Sequence, residues 1–358
     1  MDNKVKVFLP NFKKYNIYLR RIWRNKQVAN DGPMVRELEV KLKKYLGVKH
    51  LFLVSSGTMA IQLAIKALDL QGEIITAPLS FIATPSAIEW QGCVPVFVDI
   101  NEMNLTIDPK KIEDKITPRT KAILPVHLFG YPCEMEKIHQ IAKKYRLKVI
   151  YDGSHAFGVK YKGRSVFDFG DISTVSFNET KLFHMAEGGA IITGNDKIAE
   201  KIKQMRHFGL SDKREFVSIG INAKSSELNA ALGLTILPKT HKIINDRKKW
   251  THLYDKLLNN TNLEKPKIKK NTSYNFSYYP VIFSSEAILL KALKQLHKNN
   301  IFPERFFYPS LNAFTFFGEQ AAPVAEDIAK RMICLPLYCG LSKTRVEKVC
   351  KIIKSCLN

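Results

Sequence analysis

The chain has 358 residues, and 45% of them are hydrophobic, which is enough for one large buried core or two of ordinary size. Its 56 basic and 33 acidic residues give a formal net charge of +23. Such a charge could attract nucleic acid, lipid or a small polyanion as a partner. The lysines are spread along helix-like stretches such as RELEVKLKKYLG, so the sequence favours a solvated basic surface over a nucleic-acid site.

Short-range patterns argue against membrane-spanning, secreted and metal-binding classes. No run of about eighteen apolar residues occurs, and the N-terminal MDNKVKVFLPNFKK lacks a signal-peptide core, so a cytoplasmic protein without membrane association is expected. The scattered cysteines form no CxxC pair and no zinc-finger spacing, which predicts neither a metal site nor a disulfide framework. They are Cys93, Cys133, Cys334, Cys339, Cys350 and Cys356.

Short β-branched runs alternate with helical patterns from about residue 34 to 200. The predicted order is strand HLFLV, helix MAIQLAIKAL, strand EIITA, helix TPSAIEW, strands VPVFVDI and KAILPV, helix EMEKIHQIAKKY and strand LKVIYD. DISTVSF and GGAIITG follow as strands, and IAEKIKQMRHFG as a helix. Strands separated by amphipathic helices predict an α/β fold with a mostly parallel sheet that is covered on both faces.

The C-terminal part of the chain has a second, smaller αβ pattern. A helical pattern from about residue 225 to 258 leads into the polar segment NNTNLEKPKIKKNTS. Strand YNFSYYPVIF, helix EAILLKALKQLHKNN and a closing helix TRVEKVCKIIKSC follow. The sequence therefore predicts a large α/β domain over residues 1–244 and a smaller αβ domain over residues 245–358.

Small polar residues follow the first predicted strand, at the kind of strand end where open α/β sheets bind ligands. Ser55, Ser56, Gly57 and Thr58 lie between HLFLV and the next helix. Free amides at that helix N-terminus, with the hydroxyls of Ser56 and Thr58, would form a phosphate site. An ordinary helix cap is an equally good interpretation of these residues taken alone.

Two other strand ends carry residues suited to a flat, charged ring. Asp152 closes LKVIYD, with His155 three residues on, and could pair with a protonated pyridine nitrogen. A turn aspartate in Asp-Gly is the simpler interpretation of Asp152 alone. Phe81, in PLSFIATPSAI, could stack on a heteroaromatic ring or could belong to the core.

Lys181 lies in VSFNETKLFHMAEGG, between two predicted core strands. Most lysines in so basic a chain are surface residues, but a loop held between core strands would keep the Lys181 amine away from bulk water, as a nucleophilic amine requires. A phosphate site, a stacking aromatic ring, a strand-end aspartate and a loop lysine follow one another along the chain. Together they are the set that a pyridoxal phosphate (PLP) enzyme needs.

Seven segments spread over nearly the whole chain carry a resemblance to a known family. They are NDGPMVRELEVKLKKYLGVKH, SSGTMAIQLAI, YDGSHAFGVKYKG, FGDISTVSFNETK, EGGAIIT, GINAKSSELNAALGL and LPLYCGLSKTRVEKVCKII. In this order they resemble the DegT/DnrJ/StrS sugar aminotransferases of the aspartate aminotransferase fold (fold type I). The resemblance implies PLP as cofactor, a large domain with a mostly parallel seven-stranded sheet, and a smaller C-terminal αβ domain.

The resemblance implies roles for the residues expected around the cofactor ring. Lys181 stands where the family carries the lysine that binds PLP as a Schiff base and moves the proton during transfer. Asp152 would pair with the pyridine nitrogen, and His155 would lie near the phenolic oxygen. Phe81 would cover the ring.

The resemblance also implies how the phosphate is held. Gly57, Thr58 and Ser176 would bind it within one subunit. Asn222, in GINAKSSE, matches an asparagine that in the family reaches the phosphate of the neighbouring subunit's cofactor. A homodimer with shared active sites follows from that match.

The same resemblance favours transamination of a 4-keto sugar. Relatives that act as dehydratases carry histidine in place of the lysine, whereas this chain has Lys181, with His184 three residues later. FPERFFYPSLNAF, in which Asn312 replaces a histidine of many members, is most similar to the viosamine-forming subgroup, as are DGSHAFGVK and NETK. This implies dTDP-4-keto-6-deoxyglucose as substrate, L-glutamate as amino donor, dTDP-4-amino-4,6-dideoxyglucose as product, and a place in O-antigen biosynthesis.

Some residues depart from the family pattern, and other functions stay open. Met185-Ala186 replaces a glycine-rich approach to EGG, and Lys224 stands where arginine is usual. Amination of a 3-keto sugar and PLP-dependent sugar dehydration are alternatives within the same family. A non-enzymatic protein that binds nucleic acid through its basic surface is an alternative from another class.

Overall fold

The computed structural model describes residues 7–29 and 31–357. Residues 1–6 of the N-terminal segment, Asn30 at the start of the first family-like segment and Asn358 at the end of the predicted small domain lie outside the described residues. The strands are β1 (His50–Val54), β2 (Glu73–Thr76), β3 (Val94–Phe97), β4 (Thr120–Ile123), β5 (Lys148–Asp152), β6 (Lys160–Tyr161), β7 (Arg164–Ser165), β8 (Ile172–Ser176), β9 (Gly189–Thr193), β10 (Thr272–Ser273), β11 (Pro280–Ile282) and β12 (Met332–Cys334). The α-helices are α1 (Phe12–Asn25), α2 (Pro33–Leu46), α3 (Gly57–Ala67), α4 (Ala83–Trp90), α5 (Met135–Tyr145), α6 (Asp196–Met205), α7 (Glu227–Ile236), α8 (Thr240–Leu258), α9 (Glu286–Lys298), α10 (Pro323–Arg331) and α11 (Lys343–Leu357).

Seven strands form the main sheet, in the order β1-β9-β8-β5-β4-β2-β3. The pairs from β8 through β5, β4 and β2 to β3 are parallel, and β9 is antiparallel to both of its neighbours. The predicted α/β fold with a mostly parallel sheet is confirmed.

Alternate residues of the central strands are buried on opposite faces of the sheet. Ile150 packs with α3, α4 and α6, whereas Val149 and Tyr151 pack on the other face, towards α5. The same alternation separates Ile74 from Ile75. Because both faces are covered, these strands are apolar at nearly every position rather than at every second one.

The sheet topology brings three of the predicted site segments to one edge. β1 and β8 are both antiparallel to β9, and β8 is parallel to β5, so the carboxyl ends of β1, β5 and β8 meet at the same edge. Ser55 follows β1, Asp152 ends β5, and Ser176 ends β8. Residues from distant parts of the sequence therefore lie beside one another.

The helix predicted from about residue 225 to 258 is two helices rather than one. α7 ends at Ile236, a 3₁₀ turn spans Leu237–Lys239, and α8 begins at Thr240. Pro238 explains the break, because proline has no N–H for the helical hydrogen bond and its ring crowds the preceding turn. The prediction of a continuous helix was wrong at this point.

The predicted strand YNFSYYPVIF is also shorter than expected, since only Pro280–Ile282 pairs as β11. Asn275 Nδ2 donates hydrogen bonds to the carbonyls of His155 and Phe157 at 2.9 and 3.0 Å. Ser277 Oγ donates to the His155 carbonyl at 3.1 Å. This part of the segment is committed to the loop after β5, so it does not join a sheet.

The C-terminal elements have a hydrophobic cluster of their own. α8, α9 and α11 pack around the β11–β12 pair, with Tyr254, Leu289 and Val349 among the fully buried residues. α10 instead packs against the main core through Ala325 and Ile328. The domain boundary near residue 245 stays a prediction.

Across the described residues, no helix is long and apolar enough to cross a bilayer.

Candidate active site

Asp152, the last residue of β5, is only 5% exposed. Its Oδ2 accepts a hydrogen bond from Thr84 Oγ1 at 2.8 Å, and its Oδ1 accepts one from the Ser154 N–H at 3.0 Å. No ion pair among the described residues includes Asp152. A buried carboxylate held only by neutral donors has remaining capacity for a cationic partner.

His155 is buried against a set of aromatic rings and is 7% exposed. Its Nδ1 accepts a hydrogen bond from the Phe129 N–H at 3.1 Å, and its ring lies parallel to that of Phe129 at 5.9 Å. Burial, and then the nearby charge of Lys181, hold the pKa of His155 well below its usual value. The imidazole is therefore neutral at pH 7 and carries its proton on Nε2.

Lys181 lies in a tight loop between β8 and β9. Its N–H donates to the Asn178 carbonyl at 2.9 Å, and Asn178 Oδ1 accepts from the N–H and Oγ1 of Thr180 at 3.1 and 2.9 Å. The other end of the loop is tied down by Asn229 Nδ2, which donates to the Glu187 carbonyl at 2.6 Å. Within the part of the chain that the structure describes, the Lys181 amine has no ion pair or side-chain hydrogen bond, so it is available for a ligand.

The N-terminus of α3 packs tightly against the ends of β8 and β9. Ser56 is the N-cap and its Oγ accepts from the Met59 N–H at 3.1 Å, which leaves the amides of Gly57 and Thr58 without a partner inside the helix. A Cβ added to Gly57 would lie 2.7 Å from the Cβ of Ser176. This close approach places two helix-end amides beside the Ser176 hydroxyl, as an anion site requires. The capping interpretation and the phosphate interpretation of the loop are therefore compatible.

Phe81 is 58% exposed, so it is not a core residue. Its ring is 6.1 Å from that of Phe307, and Phe307 in turn lies 6.2 Å from the ring of His155. Tyr278 also contacts His155, with ring centroids 4.7 Å apart. Phe81 and His155 are thus joined through a residue from the C-terminal part of the chain.

Two residues singled out in the sequence lie outside this group. Asn222 is exposed and pairs with His207 in an isolated antiparallel bridge. His184 is buried, with Nε2 2.8 Å from the Phe8 carbonyl and Nδ1 3.4 Å from the Ala186 N–H. Both of its nitrogens are used in holding the N-terminal segment and the loop, and burial lowers its pKa. His184 therefore cannot replace Lys181 in chemistry.

Asn312, which departs from the family pattern, is also turned inward. Its Nδ2 donates to the Gln320 carbonyl at 2.9 Å and to Glu326 Oε1 at 2.6 Å. Its Oδ1 accepts from Ser310 Oγ at 2.8 Å. These bonds use all of its side-chain donors, so Asn312 stabilises its loop.

Sequence reasoning missed Thr84, Phe307 and Tyr278. Thr84 donates to Asp152 from the first turn of α4, and nothing in TPSAIEW marks that role. Phe307 and Tyr278 come from the aromatic-rich segments FPERFFYP and YNFSYYP, and this density of rings was the only available signal. A pattern of residues near one another in sequence could not show that both segments return to His155.

The residues present fit PLP. The buried Asp152 carboxylate has no ion-pair partner among the described residues and suits a protonated ring nitrogen. The Lys181 amine, which has no ion pair there either, suits a covalent link to an aldehyde. The amides of Gly57 and Thr58 beside Ser176 suit a phosphate. The exposed face of Phe81 suits a flat ring.

Comparison with known proteins agrees with this geometry. The model of the DegT/DnrJ/EryC1/StrS aminotransferase family matches residues 13–354. The dTDP-4-amino-4,6-dideoxy-D-glucose transaminase of Escherichia coli is 40% identical, over 96% of each chain. DesI, solved in the presence of its TDP-sugar product, is 28% identical with a TM-score of 0.93, over 100% of this chain and 94% of that one. NtdA from Bacillus subtilis, solved with bound cofactor PMP, is 28% identical with a TM-score of 0.88, over 96% of this chain and 82% of that one. The chain therefore belongs to the DegT/DnrJ/EryC1/StrS aminotransferase family and is a PLP-dependent aminotransferase.

Proposed function

We propose that the protein transfers an amino group from L-glutamate to the fourth carbon of dTDP-4-keto-6-deoxy-D-glucose. The product would be dTDP-4-amino-4,6-dideoxy-D-glucose, or dTDP-viosamine. The observation that carries this choice of sugar is the 40% identity, over 96% of both chains, to the E. coli transaminase that acts on this product. Neither amination of a 3-keto sugar nor dehydration has comparable support.

We propose Lys181 as the catalytic residue. When bound, PLP would supply an electron sink that lets a proton leave the carbon bearing the amine. The Lys181 amine would hold the cofactor covalently and then move that proton between donor and acceptor atoms. Asn178 holds this loop at one end and Asn229 holds it at the other. This supports the role of Lys181, because a fixed loop restricts the movement of the amine.

The other residues would bind and orient the cofactor. Asp152 would keep a proton on the ring nitrogen, and Phe81 would cover one face of the ring. The neutral His155 would donate from Nε2 to the phenolic oxygen, a role supported by its low pKa and its occupied Nδ1. Gly57, Thr58 and Ser176 would bind the phosphate within one subunit, and Asn222 would reach the phosphate of the neighbouring subunit's cofactor.

We further propose a homodimer in which Asn222 completes the partner's site. The loop 208–221, which ends beside Asn222, carries several exposed apolar side chains, including Phe216 at 77% and Ile219 at 83%. Large apolar groups clustered on one surface are costly in water and are typical of an interface. A cytoplasmic location and a part in O-antigen biosynthesis stay predictions from the sequence.

The reaction is tested by incubating the protein with PLP, L-glutamate and dTDP-4-keto-6-deoxyglucose and measuring the product by mass spectrometry. We expect the mass of the amino sugar, with nitrogen at the fourth carbon by NMR. Glutamate alone should bleach the yellow cofactor. The Lys181→Arg variant should fold without turnover, and unchanged turnover in that variant would reject the assignment. Consumption of the keto sugar without an amino donor would instead indicate a dehydratase.

A further inference from the structure

Aromatic residues around His155 form a continuous apolar surface, here called the aromatic wall and made of Phe81, Phe129, Tyr278, Phe306 and Phe307. Phe307 is its centre, with ring centroids 6.1 Å from Phe81, 6.4 Å from Phe129 and 5.2 Å from Phe306. None of the proposed cofactor contacts uses Phe307. The aromatic wall is therefore larger than the surface needed to cover the cofactor ring.

Part of the aromatic wall is not covered by the chain itself. Phe129 is fully buried, but Phe307 and Phe306 are only half-buried and Phe81 is largely exposed. The half-buried ring of Phe307 lies 6.2 Å from that of His155, and the charge of Lys181 acts on His155. An apolar surface of this kind beside polar catalytic groups is suited to an apolar part of a ligand.

The substrate proposed above has one such apolar part close to the reacting carbon. In a 4-keto-6-deoxyhexose, the fifth carbon is bonded to the fourth and carries the C6 methyl group. Two carbon–carbon bonds thus separate the methyl from the reacting carbon, a distance of roughly 2.5 Å. When the fourth carbon reaches Lys181, the methyl must lie in the same small region of the site.

We infer that Phe307 is a specificity-determining residue that receives the C6 methyl group of the sugar. This inference rests on the proposed function. It also bears on which carbon is aminated, because amination at the third carbon would move the methyl one bond farther from the reacting atom. The aromatic wall favours the 6-deoxy sugar and the fourth carbon together.

The selectivity follows from the lack of hydrogen-bonding groups on the phenyl rings of Phe306 and Phe307, the half-buried part of the wall. A 6-hydroxyl group placed against phenyl rings would lose its hydrogen bonds to water without replacing them. Apolar pockets distinguish such small differences by roughly 10- to 200-fold. We expect a preference of that size for the 6-deoxy sugar.

The test compares two amino sugars in the half-reaction that runs from amino sugar to keto sugar. dTDP-4-amino-4,6-dideoxyglucose and its 6-hydroxy counterpart, dTDP-4-amino-4-deoxyglucose, are each mixed with the PLP-loaded protein, and the change in cofactor absorbance gives kcat/KM. Wild type should prefer the 6-deoxy sugar by at least about 10-fold. Phe307→Leu, which keeps an apolar surface, should retain most of the preference. Phe307→Asn should reduce it several-fold, mainly through a higher KM for the 6-deoxy sugar.

Controls separate this role from a loss of folding or of cofactor. Phe316→Asn changes a phenylalanine that is exposed and contacts only Phe314 and Phe317 among the described rings, so it should keep the wild-type ratio. Phe307→Tyr preserves the ring and adds a hydroxyl, so it should accept the 6-hydroxy sugar better than wild type does. It replaces Phe307→Asn as the test variant if Phe307→Asn does not fold. Dissociation constants of both sugars on a Lys181→Ala background should show the same ratios without turnover.

Two results would overturn the inference in different ways. A wild-type protein without preference, or a folded and PLP-loaded Phe307→Asn protein with an unchanged ratio, would remove the role of Phe307 and leave the proposed function intact. If neither amino sugar reacts while glutamate still bleaches the cofactor, the proposed substrate is wrong, and the inference falls with it.

Discussion

The Asp152 carboxylate is buried between two neutral donors, Thr84 Oγ1 and the Ser154 N–H. Asparagine is nearly isosteric and could keep one of these hydrogen bonds, but it has no charge to hold a proton on the cofactor ring. We expect Asp152→Asn to fold and to lose about 100-fold or more in turnover, equivalent to about 3 kcal/mol. Steady-state rates, with the cofactor spectrum as a check of loading, measure this.

Asp171→Asn is the matched control for Asp152→Asn. Asp171 precedes β8 at the opposite edge of the sheet, where its Oδ2 accepts from the Val149 N–H at 2.9 Å. Its loss should affect stability and leave the rate of the folded enzyme close to wild type. Equal rate losses in the two variants would mean that Asp152 acts through the fold rather than through the cofactor.

Ala186 has a φ of 63°, in the left-handed region that favours glycine. A Cβ there costs about 1–2 kcal/mol, whereas glycine costs about 0.5–1 kcal/mol in chain entropy. We therefore expect Ala186→Gly to raise the free energy of unfolding by up to about 1 kcal/mol, measured by urea denaturation. Ala190→Gly, inside β9, should lower the free energy of unfolding instead. A destabilised Ala186→Gly protein would contradict the strain assigned to this residue.

At the scale of elements, the loop 208–221 exposes several large apolar side chains in the single chain. Ile219→Asp and Phe216→Asp would each place a charge in the proposed interface, where it could not be solvated. We expect both variants to shift from dimer to monomer in analytical ultracentrifugation and to bind PLP more weakly, because Asn222 would leave the partner's site.

Leu290→Asp provides the comparison for the loop variants. Leu290 is an exposed apolar residue on α9, in the C-terminal part of the chain, and its change should leave the sedimentation of the protein as it was. A wild-type protein that sediments as a monomer with full cofactor affinity would reject the shared site.

At the scale of the whole molecule, buried neutral histidines couple stability to pH. His127 is fully buried, stacks on Tyr151 at 4.8 Å and accepts the Cys133 N–H at 3.1 Å; burial lowers its pKa from 6.5 to about 3. Between these two values the unfolded chain binds a proton that the folded chain does not. Stability attributable to His127 is therefore complete above pH 6.5 and falls as the pH drops through this window.

The expected loss from His127 is about 1.4 kcal/mol at pH 5.5 relative to pH 7.5. His155 and His184, whose pKa values are also lowered, act in the same direction. Urea denaturation at fixed protein concentration should show that His127→Asn loses about 1.4 kcal/mol less than wild type over this interval. Identical pH dependence in both proteins would contradict a neutral His127 in the fold.

Local sequence patterns predicted most of the strands and helices and the types of residue in the candidate site. Apolar runs such as KVIYD and EIIT, separated by amphipathic helices, specified strands buried on both faces, because a parallel sheet must cover both. Ser56-Gly57, Phe81, Asp152 and Lys181 each have an ordinary structural interpretation when taken alone, and they pointed to PLP chemistry only as a set in this order. The error at Pro238 missed a local signal, because proline interrupts a helix by its own covalent structure. The error at Asn275 and Ser277 arose because both side chains hydrogen bond to the loop after β5.

The tertiary structure decided which side chains meet. Thr84 and Asp152 are 68 positions apart and hydrogen bond only because α4 and β5 approach one edge of the sheet. Phe307 reaches His155 from the C-terminal part of the chain, and both ring nitrogens of His184 are used by Phe8 and Ala186. Sequence by itself determined the elements and the chemical inventory, since these depend on periodicity and residue type. Contacts across long sequence separations depend on how the elements pack, which no short window of sequence contains.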